Sequence, residues 1–183
     1  MKYLSVDIET TGLDREKDLI LEFGAIIEDT NNPLPYEELP KFHRYIRYGR
    51  YEGSAYALAL NKGILDILAE NKHPDITSLD RFPIHVGDWL QKHNMRFSKN
   101  NIAGKNFRDF DFEFLKKVPD WKVQYKRRYI DPAMLYWNPF IDDELPNQDL
   151  CLERAGINET VDHTALGDAW QVIQLIRKYY EKD

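Results

Sequence analysis

The sequence predicts an α/β protein built on a mixed five-stranded sheet, an antiparallel three-strand meander followed by parallel strands, with helices on both faces. Three observations predict it. Residues 3–13 (YLSVDIETTGL) and 18–29 (DLILEFGAIIED) are β-rich runs closed by turn signals. Strand-like and helix-like segments then alternate, the arrangement that places helices on the faces of a mixed sheet. Last, residues 164–181 repeat apolar side chains at helical spacing.

Taken in order, the first strand ends at Thr10-Thr11-Gly12, and residues 18–29 read as a second strand closed by Thr-Asn-Asn-Pro. Pro33, Pro35 and Pro40 make the next stretch a loop, after which residues 42–48 alternate as a third strand. Residues 54–70 hold helix formers broken at Gly63 and predict two short helices. Residues 82–94 predict an amphipathic helix with Val86, Trp89 and Leu90 on one side, in which His85 and His93 are ordinary helix residues. Asn101 to Gly104 is a short strand leading into a helix near residues 110–118. Tyr129 to Asp131 ends a fifth strand, and Asp131-Pro132 starts a short helix through Trp137. A helix over 146–155 stops at Gly156, a C′ glycine. The last helix turns Leu166, Ala169, Val172, Ile173, Ile176 and Tyr180 to the core.

Length and composition set the bounds. A chain of 183 residues fits one domain, taken as 1–183, and needs no disulfide staple to bury a core. With 43% hydrophobic and 31% charged residues, it has the balance of a soluble globular protein. Cys151 is the single cysteine, so neither an internal disulfide nor a structural zinc site is expected, and a reducing cytoplasm is the expected home. The chain opens directly into its first strand and has no apolar run long enough to span a membrane. A net charge of −6 excludes coating nucleic acid by bulk electrostatics, though not local handling of it. Basic and aromatic residues mix in 41–50 (KFHRYIRYGR) and 122–128 (KVQYKRR), which suits backbone contact with base stacking, or equally a solvated strand face.

The chemistry gathers on four acids. Asp7 and Glu9 stand two apart on one face of a core strand, at its carboxyl end. Like charges so placed repel and lose hydration, so they require protonation, cations or a metal. Asp111 shares the apolar helix face of Phe114 and Leu115, and Asp168 lies along the buried stripe of Val172 and Ile176. Each alone could be a capping Asp. Four such acids on three elements form an oxygen-only set suited to Mg²⁺ or Mn²⁺. His163, five residues before Asp168, is a candidate base at the mouth of that site.

These stretches together resemble the DEDDh 3′–5′ exonucleases, which include polymerase proofreading exonucleases and RNase T. Val6-Asp7-Ile8-Glu9-Thr10-Thr11-Gly12-Leu13 looks like their first motif. Ala103-Gly104-Lys105-Asn106 through Phe110-Asp111 and Phe114-Leu115 looks like the second, and His163-Thr164-Ala165-Leu166-Gly167-Asp168-Ala169 like the third. The sister branch would carry Tyr at 164. One departure is the second motif: Asn106 and Asp111 are five apart where many members have four, and the alternative acid, Asp109, lacks the preceding Phe. Asp111 is retained.

The resemblance implies a ribonuclease H-like fold and two metal ions, Mg²⁺ or Mn²⁺, held by Asp7, Glu9, Asp111 and Asp168, with His163 taking the proton of the attacking water. It implies a single-stranded nucleic acid with a free 3′ end as substrate and 5′ mononucleotides as products. Thr10, Thr11 and Leu13 would line the terminal-nucleotide pocket, with Asn106 assisting on the strand side. A homodimer or a polymerase partner is compatible with it, and so is either DNA or RNA. The rival of another class is a non-catalytic module of the same fold that scaffolds a polymerase or binds nucleic acid uncut. A haloacid dehalogenase-type phosphatase fits poorly, because it needs Asp where Glu9 stands and a later acid where Val172 stands.

Overall fold

In this computed structural model, residues 1–95, 99–160 and 163–181 are described. Five strands form one sheet: β1 (Lys2–Thr10), β2 (Ile20–Asp29), β3 (Lys41–Arg47), β4 (Ile76–Ser78) and β5 (Ile102–Ala103). Their order is β4-β3-β2-β1-β5. β1, β2 and β3 are the expected antiparallel meander, while β5 runs parallel to β1 and β4 parallel to β3.

β1, paired with β2 on one side and β5 on the other, is covered on both faces. Leu4, Val6 and Ile8 point to one side, into a core with Phe23, Phe42, Phe82, Val86, Leu90, Phe114 and Leu115. That side is closed by α3 (Phe82–Lys92) and α4 (Asp111–Leu115). Tyr3 points to the other side, where Ile26, Ala169, Val172, Ile173 and Ile176 form a second cluster under α7 (Ala165–Tyr180). Asp7 and Glu9 share the parity of Tyr3 and therefore face α7. Ser5, on the same face, donates its hydroxyl to the Ala169 carbonyl at 2.7 Å. α7 comes this close because Gly24 lies beneath its first residues; a Cβ there would collide with the Ala165–Leu166 backbone.

The remaining helices are α1 (Ala55–Leu60), α2 (Lys62–Glu70), α5 (Pro132–Tyr136) and α6 (Gln148–Ala155). Tyr136, Leu152 and Leu175 join α5 and α6 to α7. α6 ends at Gly156 with φ 69°, as its glycine predicts.

Four expectations need correction. The fifth strand of the sheet is β4, whereas residues 129–131 contribute one bridge, Ile130 to Ala103. A three-residue strand beside Pro74 is too short to show alternation, and its pairing is decided by the open edge of β3. The first helical pair breaks at Asn61, and Gly63 lies inside α2. α4 is shorter than expected and closes before Pro119, which opposes continuation. Tyr180 is 71% exposed, because the last turn of α7 carries it out to solvent.

Candidate active site

β1 delivers Asp7 and Glu9 toward α7, and the first turn of α7 delivers Asp168 to meet them. One carboxylate oxygen from each lies within 4.8 Å of the other two. Thr164 fixes the start of that helix by accepting the Gly167 N–H at 3.2 Å. Asp111 opens α4 and is 3% exposed. It lies outside the three-oxygen set, yet its charge is the leading electrostatic influence on Asp7. The backbone N–H groups of Ile8 and of Asp111 itself bond its carboxylate, whereas Oδ1 has no partner among the described residues. Asp109 is exposed and lines a cavity with Tyr129, apart from the three-oxygen set, which favours Asp111 as the acid of the site.

Burial is the main reason Asp7, Glu9 and Asp111 hold protons more tightly than usual. Burial raises Asp7 well above the carboxylate range, reinforced by Asp111, Asp168, Glu9 and Glu22. Glu9 is pushed up to about 8 by burial and then by Asp168, against a hydrogen bond from the Asn61 side chain. Asp111 is raised by burial despite its backbone donors. A crowded, desolvated oxygen set with an orphaned buried Oδ1 is the environment that a hard divalent cation relieves, so these residues fit a metal ion.

Around the acids, β1 gives way to a tight turn. Thr10 donates its hydroxyl to the Gly12 carbonyl at 2.7 Å, and Thr11 Oγ1 accepts the Leu19 N–H at 2.9 Å. Both threonines are buried and their hydroxyls hold the turn, whereas Leu13 projects from it, 84% exposed. His163 is exposed beside the N-cap of α7 and has φ 53°, in the left-handed region that non-glycine residues rarely occupy. Asn106 is also left-handed and exposed, at φ 49°, with its N–H donating to Asp131 Oδ2 at 2.9 Å.

Several residues of this neighbourhood escape the sequence reading, among them Gln148, which donates to Asp168 Oδ1 at 3.5 Å. Asn61 is buried between α1 and α2, bonds Glu9, and donates to the Thr10 carbonyl at 3.0 Å. Glu22, 1% exposed, pairs with Glu9 in the β1–β2 register and accepts the Ala165 N–H at 3.1 Å through Oε2. His43 lies between Glu22, 2.6 Å from Nε2, and Asp75, 3.0 Å from Nδ1. Burial works to lower the His43 pKa, but hydrogen bonds to Glu22 and Asp75 outweigh it and hold the imidazole raised. Two carboxylates facing both ring nitrogens select the doubly protonated cation. The signal for Glu22 was present, since it is an acid inside a buried β run. Its partners, far away in sequence, were not readable.

A family model described as Exonuclease, RNase T, matches residues 4–176. The chain belongs to the RNase T exonuclease family. It is 29% identical over 184 aligned residues to the PolC-type DNA polymerase III of Thermotoga petrophila, covering 98% of this chain and 12% of that polymerase. Among solved structures, E. coli Exonuclease I in complex with a 5cy-dT13 oligonucleotide superposes with a TM-score of 0.69 at 17% identity, over 100% of this chain and 41% of the other. The nuclease domain of 3′hExo, a DEDDh family member bound to rAMP, gives 0.69 at 15% identity over 98% of this chain and 92% of that domain. These likenesses show a shared ribonuclease H-like fold. The chain thus spans a small part of the polymerase and less than half of Exonuclease I. No described helix is long and apolar enough to cross a membrane.

Proposed function

We propose that the chain is a single 3′–5′ exonuclease domain over 1–183 that removes 5′ mononucleotides from the free 3′ end of single-stranded nucleic acid. The observation that carries this reading is the convergence of Asp7, Glu9 and Asp168, with Asp111 near enough for its charge to raise Asp7, at one end of the sheet of an exonuclease-family fold. Two divalent ions, Mg²⁺ or Mn²⁺, held by these four residues would supply Lewis-acid stabilisation of the phosphodiester and a more acidic attacking water.

In the hydrolysis, the water oxygen forms a bond to phosphorus, the bond from phosphorus to the 3′ oxygen breaks, and that oxygen leaves with the bonding pair and takes a proton from solvent. His163 accepts the proton of the water and, being exposed, passes it to solvent. Asn61 fixes the orientation of Glu9, and Glu22 fixes the start of α7 and so the position of Asp168. Leu13 offers its exposed side chain to the terminal base, while Thr10 and Thr11 shape the turn that presents it. Asn106, exposed at the second motif, contacts the strand. Kinship with a PolC-type polymerase supports work beside a polymerase, and the single buried cysteine suits the cytoplasm.

The test is digestion of a 5′-labelled single-stranded oligonucleotide with Mg²⁺, with Mn²⁺ and with EDTA. A ladder shortening from the 3′ end, lost in EDTA, is the expected result. Cleavage of a circular single strand, or activity undiminished by EDTA, would refute the reading.

A further inference from the structure

Beyond the carboxylates, one surface cavity combines rings and cations. It has a volume of about 140 Å³ and is lined in part by Phe107, Arg108, Phe112, Tyr125, Lys126 and Arg127. Three of its rings are already packed on one another. The centroids of Phe107 and Tyr125 are 5.0 Å apart, those of Phe112 and Tyr125 5.7 Å, and Phe107 and Phe112 stack with an interplanar angle of 27°. The rings therefore form a preset surface whose ordering does not have to be supplied by a ligand.

The rim has the opposite character to the rest of the chain. In a protein of net charge −6, the exposed Arg108, Lys126 and Arg127 make no ion pair among the described residues. Lys116, Lys117 and Arg154 do have carboxylate partners. Cations without ion pairs among the described residues, beside the half-buried rings of Phe112 and Tyr125, match the chemistry of a single nucleic-acid strand, which offers a phosphate and a flat base at each step. The cavity also adjoins the acids. Phe112 follows Asp111 on α4, and burial together with the Asp111 charge pushes the Tyr125 phenol up, which places the ring within electrostatic reach of that carboxylate. A strand whose 3′ end enters the acidic cluster meets repulsion there, and a cationic, aromatic cavity next to it supplies the compensating attraction.

We infer that this cavity is a second nucleotide site, in which an unstacked base of the strand rests against Phe112 and Tyr125 while Lys126 and Arg127 hold the adjoining phosphates. The inference rests on the exonuclease reading, since it takes the substrate class from it. It gives a role to the Lys122–Arg128 run of basic and aromatic residues.

Binding without cleavage separates the two ideas. Fluorescence anisotropy of the full chain with fluorescein-labelled oligothymidylate, and with oligouridylate, is measured in EDTA over a range of salt concentrations. The Lys126→Ser/Arg127→Ser protein changes only exposed side chains. Its slope of log affinity against log salt should be shallower by about 1.4, from two lost contacts at roughly 0.7 each. Phe112→Leu keeps an apolar side chain but removes a stacking face, so it should weaken binding about five-fold or more with the wild-type slope retained. Equal loss for both oligomers is expected, because stacking on a ring does not read the sugar. Wild-type binding by Phe112→Leu, or an unaltered slope in the double variant, overturns the site, as does absence of wild-type binding. If both variants behave as expected but Mg²⁺ or Mn²⁺ elicits no cleavage by wild type, the site stands and the exonuclease reading falls.

Discussion

With divalent cations removed, this protein should become less stable as the solution is made more alkaline, and Glu9→Gln should remove much of that loss. The Glu9 carboxyl is raised from an ordinary 4.5 to about 8, by burial first and by Asp168 second. A carboxyl that titrates higher in the folded than in the unfolded chain binds more protons when folded throughout the interval between the two values. Unfolding free energy therefore falls with rising pH across that window, from about 4.5 to about 8, and the penalty is complete above it. The full shift corresponds to about 5 kcal/mol. Glu9 is only half-buried, and solvent screening reduces this to about 2–3 kcal/mol. For a chain of this size that is a fall of roughly 4–12 °C in Tm. Melting curves of wild type and Glu9→Gln in chelator, near pH 5 and near pH 8.5, measure it. His43 contributes with the same sign, since a raised imidazole stabilises at low pH and loses that contribution as pH rises through its folded value. The difference between wild type and variant cancels it. Saturating Mg²⁺ or Mn²⁺ should flatten the wild-type dependence. A Glu9→Gln protein whose Tm falls as steeply as wild type would refute the reasoning.

Three further outcomes are expected. Asp7→Asn removes a buried charge that Asp111, Asp168 and Glu9 oppose, so in chelator it should melt no lower than wild type. It should also lose activity and most of the metal-induced stabilisation, which for wild type is about 2.7 kcal/mol at a hundred-fold excess over Kd; thermal melts with and without Mg²⁺ check this, and an unchanged metal shift would mean that Asp7 is not a ligand. His163→Ala should lower turnover by roughly 10²–10⁴ in single-turnover assays while retaining the metal-induced Tm shift, because it removes a proton acceptor and no ligand. His43→Ala leaves the buried Glu22 with the Ala165 N–H but without its cationic partner and should cost about 2–4 kcal/mol, a loss near 4–16 °C that calorimetry resolves. A loss under about 2 °C would show that the pair does not hold α7.

The parts of the site that were legible in the sequence are those whose signal is local. Asp7 and Glu9 are two apart in an apolar strand, and Asp168 keeps step with Val172 and Ile176, so periodicity alone puts them on buried faces. The meander was legible for the same reason, since β1, β2 and β3 are long enough to show their pattern. β4 was not, because three residues carry no period. Thr10 and Thr11 illustrate a different limit. Their place next to the acids was readable, but the partners of their hydroxyls, Gly12 and Leu19, follow from the path of the turn. Asn61 was hidden among helix formers, and its role depends on a long-range contact with β1.

β2, a strand with no residue in the four-acid set, helps set the position of Asp168, beside Ser5 of β1 and Gln148 of α6. Glu22, Gly24, Ile26 and Glu28 alternate onto the face under α7. Glu22 accepts the Ala165 N–H at the first residue of the helix, and Gly24 admits its backbone. Ile26 packs in the cluster with Val172 and Ile173, and Glu28 accepts Arg177 Nε at 2.8 Å near the far end. The two buried carboxylates clamp the helix at points 12 residues apart, from Ala165 to Arg177, so sliding α7 along the sheet would break both at once. Breaking either leaves a buried carboxylate one donor short, although Glu22 keeps His43 and Glu28 keeps the Asp29 N–H, an outcome costlier than the loss of a surface pair. That cost keeps Asp168 facing Asp7 and Glu9 against their mutual repulsion. The clamp is itself charged, and Glu22 adds to the upward shift of Asp7 and Glu9. His43 answers this by placing a cation on the other side of Glu22, which neutralises the clamp without entering the acidic cluster. A neutral acceptor such as Gln at position 22 would keep the helix bond and relieve the repulsion, but it would leave His43 with Asp75 as its one carboxylate.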